Sequence, residues 1–77
     1  MEREIKVWAT YQHFKGGLYK VLTTAIHSET GELLIIYQNI EDSSKVWARP
    51  RDLFLSEVDH TKYPEVSQKR RFTLIHE

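Results

Sequence analysis

Apolar and polar residues alternate along much of the chain with a period of two, which indicates β-strands rather than helices. Between Ile5 and Gln12 every second residue is apolar, so this segment is predicted to be a half-buried strand. Gly16 and Gly17 then predict a reversal of the chain, because glycine tolerates the backbone conformations that sharp turns need. The β-branched and aromatic residues of 18–27 predict a second strand.

The rest of the pattern predicts three more short strands and one helical turn. The small polar residues of 28–32 are typical of a hairpin loop, and Pro50 must end or edge a strand because it lacks an amide hydrogen. Residues 52–55 favour a single turn of helix, and the polar segment 61–71 is expected to be an exposed connection. The further strands are expected at residues 33–38, 45–49 and 72–75.

Together these elements predict a single, mainly β domain over residues 1–77, a small barrel of about five strands with one short helical turn. Several strands carry apolar residues on both faces, so the pattern leaves open which parity of each strand points inward. The partner of the last strand is also left open. The core is expected to contain Val7, Leu22, Ile26, Leu34, Ile36, Leu53, Phe54 and Phe72.

Composition narrows the function classes. Eleven basic residues balance eleven acidic ones, which argues against broad binding of phosphate backbones or anionic membranes. The chain has no cysteine, so disulfides, thiolate zinc sites and a cysteine nucleophile are excluded. The first residues lead into alternating rather than continuous apolar positions, so we expect no signal peptide, no membrane span and a cytoplasmic location.

Three stretches form a specific combination: YQHFKGGLYKV at 11–21, AIHSET at 25–30, and the set Tyr37, Gln38, WARP at 47–50 and Phe54. With them the chain resembles, over residues 11–75, the uncharacterised bacterial family called domain of unknown function 1653. The resemblance implies an SH3-like barrel, and it implies no particular activity. The connection at 60–70 is longer than the turn that this family usually has there.

Candidate catalytic and metal-binding groups are sparse. His27 and Glu29 lie two residues apart, so on a continuous strand both would face one side and could hold a metal together with His13. We favour the simpler interpretation that His27 orders the hairpin by hydrogen bonding to its backbone. Ser28 adjoins His27, but neighbouring strand residues point to opposite faces. The prediction is therefore no enzyme, no metal and no cofactor, with a small enzyme or metal protein that uses His13, His27 and Glu29 as a less favoured alternative.

The aromatic residues are the more informative group, since a core this small has little room for so many rings. Rings that stay partly exposed, with an arginine nearby, can stack on a peptide, a base or a cation. Equally, the rings could complete the core with their polar ends at its rim. We predict a non-enzymatic binding module for a peptide, a protein or a small ligand. Its predicted ligand-binding residues are His13, Tyr19, His27, Glu29, Tyr37, Trp47 and Arg49.

A nucleic-acid-binding barrel is the alternative. Residues 1–44 carry four basic and six acidic side chains, whereas residues 45–77 carry seven and five. Basic residues of the second part would meet a phosphate backbone if the last strand returned beside Trp47. Solvated charges on a polar connection are the favoured interpretation. The basic residues concerned are Arg49, Arg51, Lys69, Arg70 and Arg71.

Overall fold

Five strands and one short helix make up the fold, in a computed structural model that describes residues 5–76. The elements are β1 Thr10–His13, β2 Leu18–Ile26, β3 Leu33–Asn39, β4 Val46–Pro50, α1 Arg51–Phe54 and β5 Phe72–His76. The strands form one antiparallel sheet in the order β4-β3-β2-β1-β5. The mainly β prediction is confirmed. Residues 1–4 and 77 of the predicted domain lie outside the described residues.

The first strand begins later than predicted. Residues 5–9 do not continue β1, because Trp8 takes a positive φ of 71° and turns the chain. The amide of Trp8 donates to the carbonyl of Val21 at 2.7 Å, and the amide of Ala9 donates to Lys6 at 3.2 Å. The prediction of a strand from Ile5 was therefore wrong, since an alternating pattern cannot reveal a left-handed residue within it.

The predicted turns lie where the glycines and the proline indicated. Gly16 and Gly31 have φ values of 106° and 75°, the region that favours glycine. Pro50 ends β4, an edge strand, and is the N-cap of α1, so the missing amide hydrogen costs no ladder bond. The last strand, β5, pairs with β1.

Most of the predicted core residues are not buried, and in β2 and β3 the prediction chose the wrong face of the strand. Only Phe54 and Phe72 of that set are buried, whereas Val7, Ile26 and Leu53 are exposed and Leu22, Leu34 and Ile36 are half-buried. A register shift between Val21 and Thr23 adds Leu22 as an extra residue in β2, and a bulge of this kind changes which side chains face inward. The buried core consists of Ala9, Tyr11, Val21, Ile35, Tyr37, Phe54, Val58 and Phe72.

The sheet is strongly curled around a cluster of aromatic rings. The rings of Tyr37 in β3 and Phe72 in β5 have centroids 5.4 Å apart, although two strands lie between β3 and β5. In a flat sheet, strands three places apart would be separated by about 14 Å. Curling therefore brings the two edges of the sheet towards each other, on the side where the rings lie.

The edge strands meet through side chains and connecting segments rather than through a shared ladder. Phe54, four residues after β4, stacks on Phe72 at the start of β5, with ring centroids 4.1 Å apart and ring planes at 5°. The segment after α1 also pairs with the segment before β5, where the amide of Arg71 donates to the carbonyl of Ser56 at 2.9 Å. These contacts hold the two edges of the curled sheet together, although no ladder joins the edge strands in the described sheet.

Replacing Phe54 with alanine should test how much its packing between the two edges contributes to stability. Phe54 is completely buried, whereas its neighbour Leu53 in α1 is 51% exposed. We expect Phe54→Ala to lower the free energy of unfolding by about 3 to 5 kcal/mol, and Leu53→Ala to lower it by less than about 1 kcal/mol. Urea unfolding followed by circular dichroism measures both, and equal losses in the two variants would contradict the packing described.

Candidate functional site

A cleft with aromatic walls lies between the two edge strands, and we call it the aromatic cleft. Its volume is about 230 Å³. Trp47 and Arg49 alternate on the edge strand β4, where they pair with Tyr37 and Ile35 of β3 and so share the inner face of the sheet. Trp47 is 49% exposed, and no strand among the described residues pairs with the outer side of β4. The cleft is lined by His13, Tyr19, Tyr37, Trp47, Arg49 and Phe72.

Arg49 is held in this cleft by neutral groups. Its Nε donates to the hydroxyl of Tyr37 at 3.1 Å, and its Cζ lies 5.6 Å from the centroid of the Phe72 ring. A guanidinium placed in this way has a fixed orientation and keeps its full charge. Pairing of Arg49 with Glu29 or Asp52 does not occur among residues 5–76.

Tyr19 forms the wall of the aromatic cleft beside the first turn. Its ring contacts Tyr37 and Phe72 edge to face, with centroids 5.4 and 5.9 Å away. A Cβ atom on Gly17 would approach the Tyr19 ring to 3.0 Å. The absence of a side chain at Gly17 therefore leaves room for the tyrosine, a role that is separate from the turn itself.

A second cleft adjoins the first, and we call it the basic cleft. It has a volume of about 380 Å³ and shares His13 and Arg49 with the aromatic cleft. Its aromatic lining comes from His13, Phe14 and Tyr63. Its charged lining consists of Lys15, Arg49, Lys62, Arg71 and a single carboxylate, Asp59. A cluster of positive charge is thus present on a chain whose net charge is zero.

His13 lies where the two clefts meet, and it is uncharged at neutral pH. Burial, and then the charges of Arg49, Arg71 and Lys15, lower the pKa of His13 from 6.5 to about 4. Its Nδ1 accepts a hydrogen bond from the backbone amide of Lys15 at 3.1 Å, so the proton of the neutral ring is on Nε2. His13 is therefore a fixed hydrogen-bond donor at the junction.

Five of the seven predicted site residues lie together in the aromatic cleft, and two do not. His27 and Glu29 lie in the β2–β3 hairpin, at the opposite end of β2 from Tyr19. There the Nδ1 of His27 accepts the amides of Glu29 at 3.1 Å and Thr30 at 3.3 Å. This is the hairpin-ordering arrangement that the sequence favoured for His27 over metal binding.

The basic residues that the nucleic-acid alternative would bring together converge only in part. Arg49 and Arg71 line the same cleft, whereas Arg51 lines a separate depression beside Glu32. Neither Lys69 nor Arg70 lines the basic cleft, and the backbone of Arg70 pairs with that of Glu57 in an isolated antiparallel β-bridge.

Several lining residues had no distinguishing signal in the sequence. Phe14 and Tyr63 lie 49 positions apart in the chain, yet their rings contact each other at 5.1 Å. They meet because the connection at 55–71 folds back beside β1 and the β1–β2 turn. Gln68 donates to the carbonyl of Gln12 in β1 at 3.2 Å, and the amide of Phe14 in the turn donates to the carbonyl of Arg71 at 2.9 Å. Residues 61–71 were predicted to be an exposed connection, so the contribution of Lys62 and Tyr63 to the basic cleft was not predicted. Only the adjacent Arg70 and Arg71 hinted at it.

Two other kinds of site are absent from the described part of the chain. No group of three His, Asp or Glu side chains there is arranged to hold a metal ion. Within the same residues, no helix is long and apolar enough to cross a membrane.

The geometry defines a small, mainly β domain with two adjoining clefts, one aromatic and one basic. A family model described as "Protein of unknown function (DUF1653)" matches residues 9–74. The chain belongs to this family. No curated protein and no solved structure matches the chain. The SH3-like shape implied by the resemblance therefore stays a prediction.

The state of His13 gives a direct test of the site's electrostatics. We expect NMR titration of its ring to give a pKa of about 4, below the ordinary 6.5. Between these values the unfolded chain binds a proton that the folded chain does not, so stability should fall as the pH is lowered through this range. His13→Gln should remove that part of the pH dependence. A ring that titrates near 6.5 would contradict the described surroundings of His13.

Proposed function

We propose that this protein is a non-enzymatic binding module that holds a peptide or a small ligand in its aromatic cleft. A cytoplasmic location and the bacterial origin suggested by the family resemblance belong to the same proposal. The proposal rests on the surroundings of Arg49. This arginine is oriented by Tyr37 and Phe72, lies beside the half-exposed Trp47, and has no carboxylate partner among the described residues.

The surroundings of Arg49 favour recognition over a purely structural role. An arginine that served folding alone would gain most from a carboxylate, because burying part of an unpaired charge costs free energy. A large aromatic side chain that is half exposed on an edge strand likewise contributes less to stability than a buried one. Together, Arg49 and Trp47 offer a ligand contact area at a small cost in conformational entropy.

A peptide or a small ligand fits the clefts better than a nucleic acid does. Contact with a phosphate backbone would need basic side chains along an extended path, whereas Arg51 lines a separate depression and neither Lys69 nor Arg70 lines the cleft of Arg49 and Arg71. The clefts have volumes of about 230 and 380 Å³, which suits a group of a few atoms to a few tens of atoms.

Trp47 provides the mutational test, with Val46 as a matched control. Both side chains are 49% exposed on β4, but they point to opposite faces of the sheet. In an NMR screen of peptides and small aromatic compounds, Trp47→Ala should weaken binding by about tenfold or more, whereas Val46→Ala should leave it unchanged. Both variants should keep the melting temperature within a few degrees of the original.

The screen can also reject the proposal. Hits whose signals cluster on another face, or hits that bind equally well to the original protein and to Trp47→Ala, would remove the aromatic cleft as the binding site. A duplex or single-stranded oligonucleotide that binds with a steep dependence on salt would favour the nucleic-acid alternative instead.

A further inference from the structure

The two arginines of the basic cleft are positioned by hydroxyl groups and a ring, not by carboxylates. Arg49 donates to the Tyr37 hydroxyl and lies over Phe72, as described above. Arg71 donates from its Nε to the Oγ of Ser56 at 2.9 Å. In both residues the Nε is engaged, so the terminal nitrogens of the guanidinium are the donors left to face the cleft.

The two lysines of the basic cleft are positioned by aromatic faces. The Nζ of Lys15 lies 5.4 Å from the centroid of Tyr63 and 5.8 Å from that of Phe14. The Nζ of Lys62 lies 5.5 Å from the centroid of the same tyrosine. Contacts of this kind orient an ammonium group without neutralising its charge.

Four basic side chains face a single carboxylate in the basic cleft, and none of them forms an ion pair with it. None of Lys15, Arg49, Lys62 and Arg71 forms an ion pair among residues 5–76, although the chain has eleven acidic residues. The carboxylate of Asp59 lines the cleft and balances at most one of the four charges, and its Oδ1 accepts hydrogen bonds from the amides of Thr61 at 3.0 Å and Lys62 at 3.3 Å. Like charges gathered in one cleft repel each other, so the arrangement costs stability that a bound anion would return.

We propose that the basic cleft binds the carboxylate or phosphate group of a small ligand whose ring or apolar part lies in the aromatic cleft. The inference rests on the proposed function and names the class of ligand. His13 and Arg49 line both clefts, so an anion held by Arg49 and Arg71 would lie next to the rings of the aromatic cleft. The Nε2 proton of His13 is available at this junction as a neutral donor to the same ligand.

Two sources could supply this chemistry, and simple probes separate them. N-Acetyltryptophan represents a peptide with a free carboxyl terminus, phenyl phosphate represents a small phosphorylated compound, and N-acetyltryptophanamide has the ring without the charge. In NMR titrations at pH 7 and constant ionic strength, at least one of the acids should bind about tenfold or more tightly than the amide. The acid that binds should shift the NMR signals of Lys15, Arg71 and the Trp47 indole in the protein.

Charge-removing variants localise the effect. Arg71→Gln should weaken binding of the preferred acid about tenfold and leave binding of the amide unchanged. Because Arg71 also bonds to Ser56, the exposed Lys15→Gln is the second variant, with a smaller loss in the same direction. Lys69→Gln is the control, since Lys69 is exposed and does not line the cleft. Equal binding of acid and amide to every variant would overturn the inference.

The same titrations distinguish failure of this inference from failure of the proposed function. If acid and amide bind equally well and both shift Trp47 and Tyr19, the aromatic cleft binds ligands and the anion site is wrong. If inorganic phosphate shifts Lys15 and Arg71 while neither tryptophan derivative shifts Trp47, the anion site stands and aromatic binding is wrong. If no probe shifts any of these residues, the inferred ligand class is wrong.

Discussion

The stack of Phe54 on Phe72 is the contact on which both clefts depend. Phe54 follows β4 and Phe72 begins β5, so the two rings, 4.1 Å apart, join the two edges of the sheet. No ladder joins these edges in the described sheet. A ladder would have placed adjacent backbones about 4.8 Å apart. Joining the edges through side chains instead leaves a gap, and the aromatic cleft occupies it.

The same contact explains why positive charge gathers in one place. Arg49 belongs to one edge of the sheet and Arg71 directly precedes the other, so fastening the edges brings the two guanidinium groups to a common cleft. Rings and hydroxyls orient these groups at modest cost, because a cation on an aromatic face keeps some favourable electrostatic interaction. The low pKa of His13 is a consequence of the same burial and the same neighbouring charges.

Local features of the fold could be predicted from the sequence, and long-range ones could not. Strand period, turn glycines and Pro50 act over a few residues, and those predictions are confirmed except at residues 5–9, where the positive φ of Trp8 interrupts the strand. The predicted core failed because the apolar run at 33–36 fits either face of a strand, and only the bulge at Leu22 and the packing of Tyr37 decide between them. Tyr63 could not be predicted at the site, because its position depends on how a polar connection folds back.

The most direct measurement of this account is the side-chain NMR signal of the Arg49 Nε–H group in the original protein and in Phe72→Leu. The original protein should show a slowly exchanging signal, displaced from that of a free arginine by the Phe72 ring and the bond to Tyr37. In Phe72→Leu the part of that displacement caused by the Phe72 ring should disappear while the backbone signals of the sheet stay dispersed. A signal at the free-arginine position in the original protein would contradict the account.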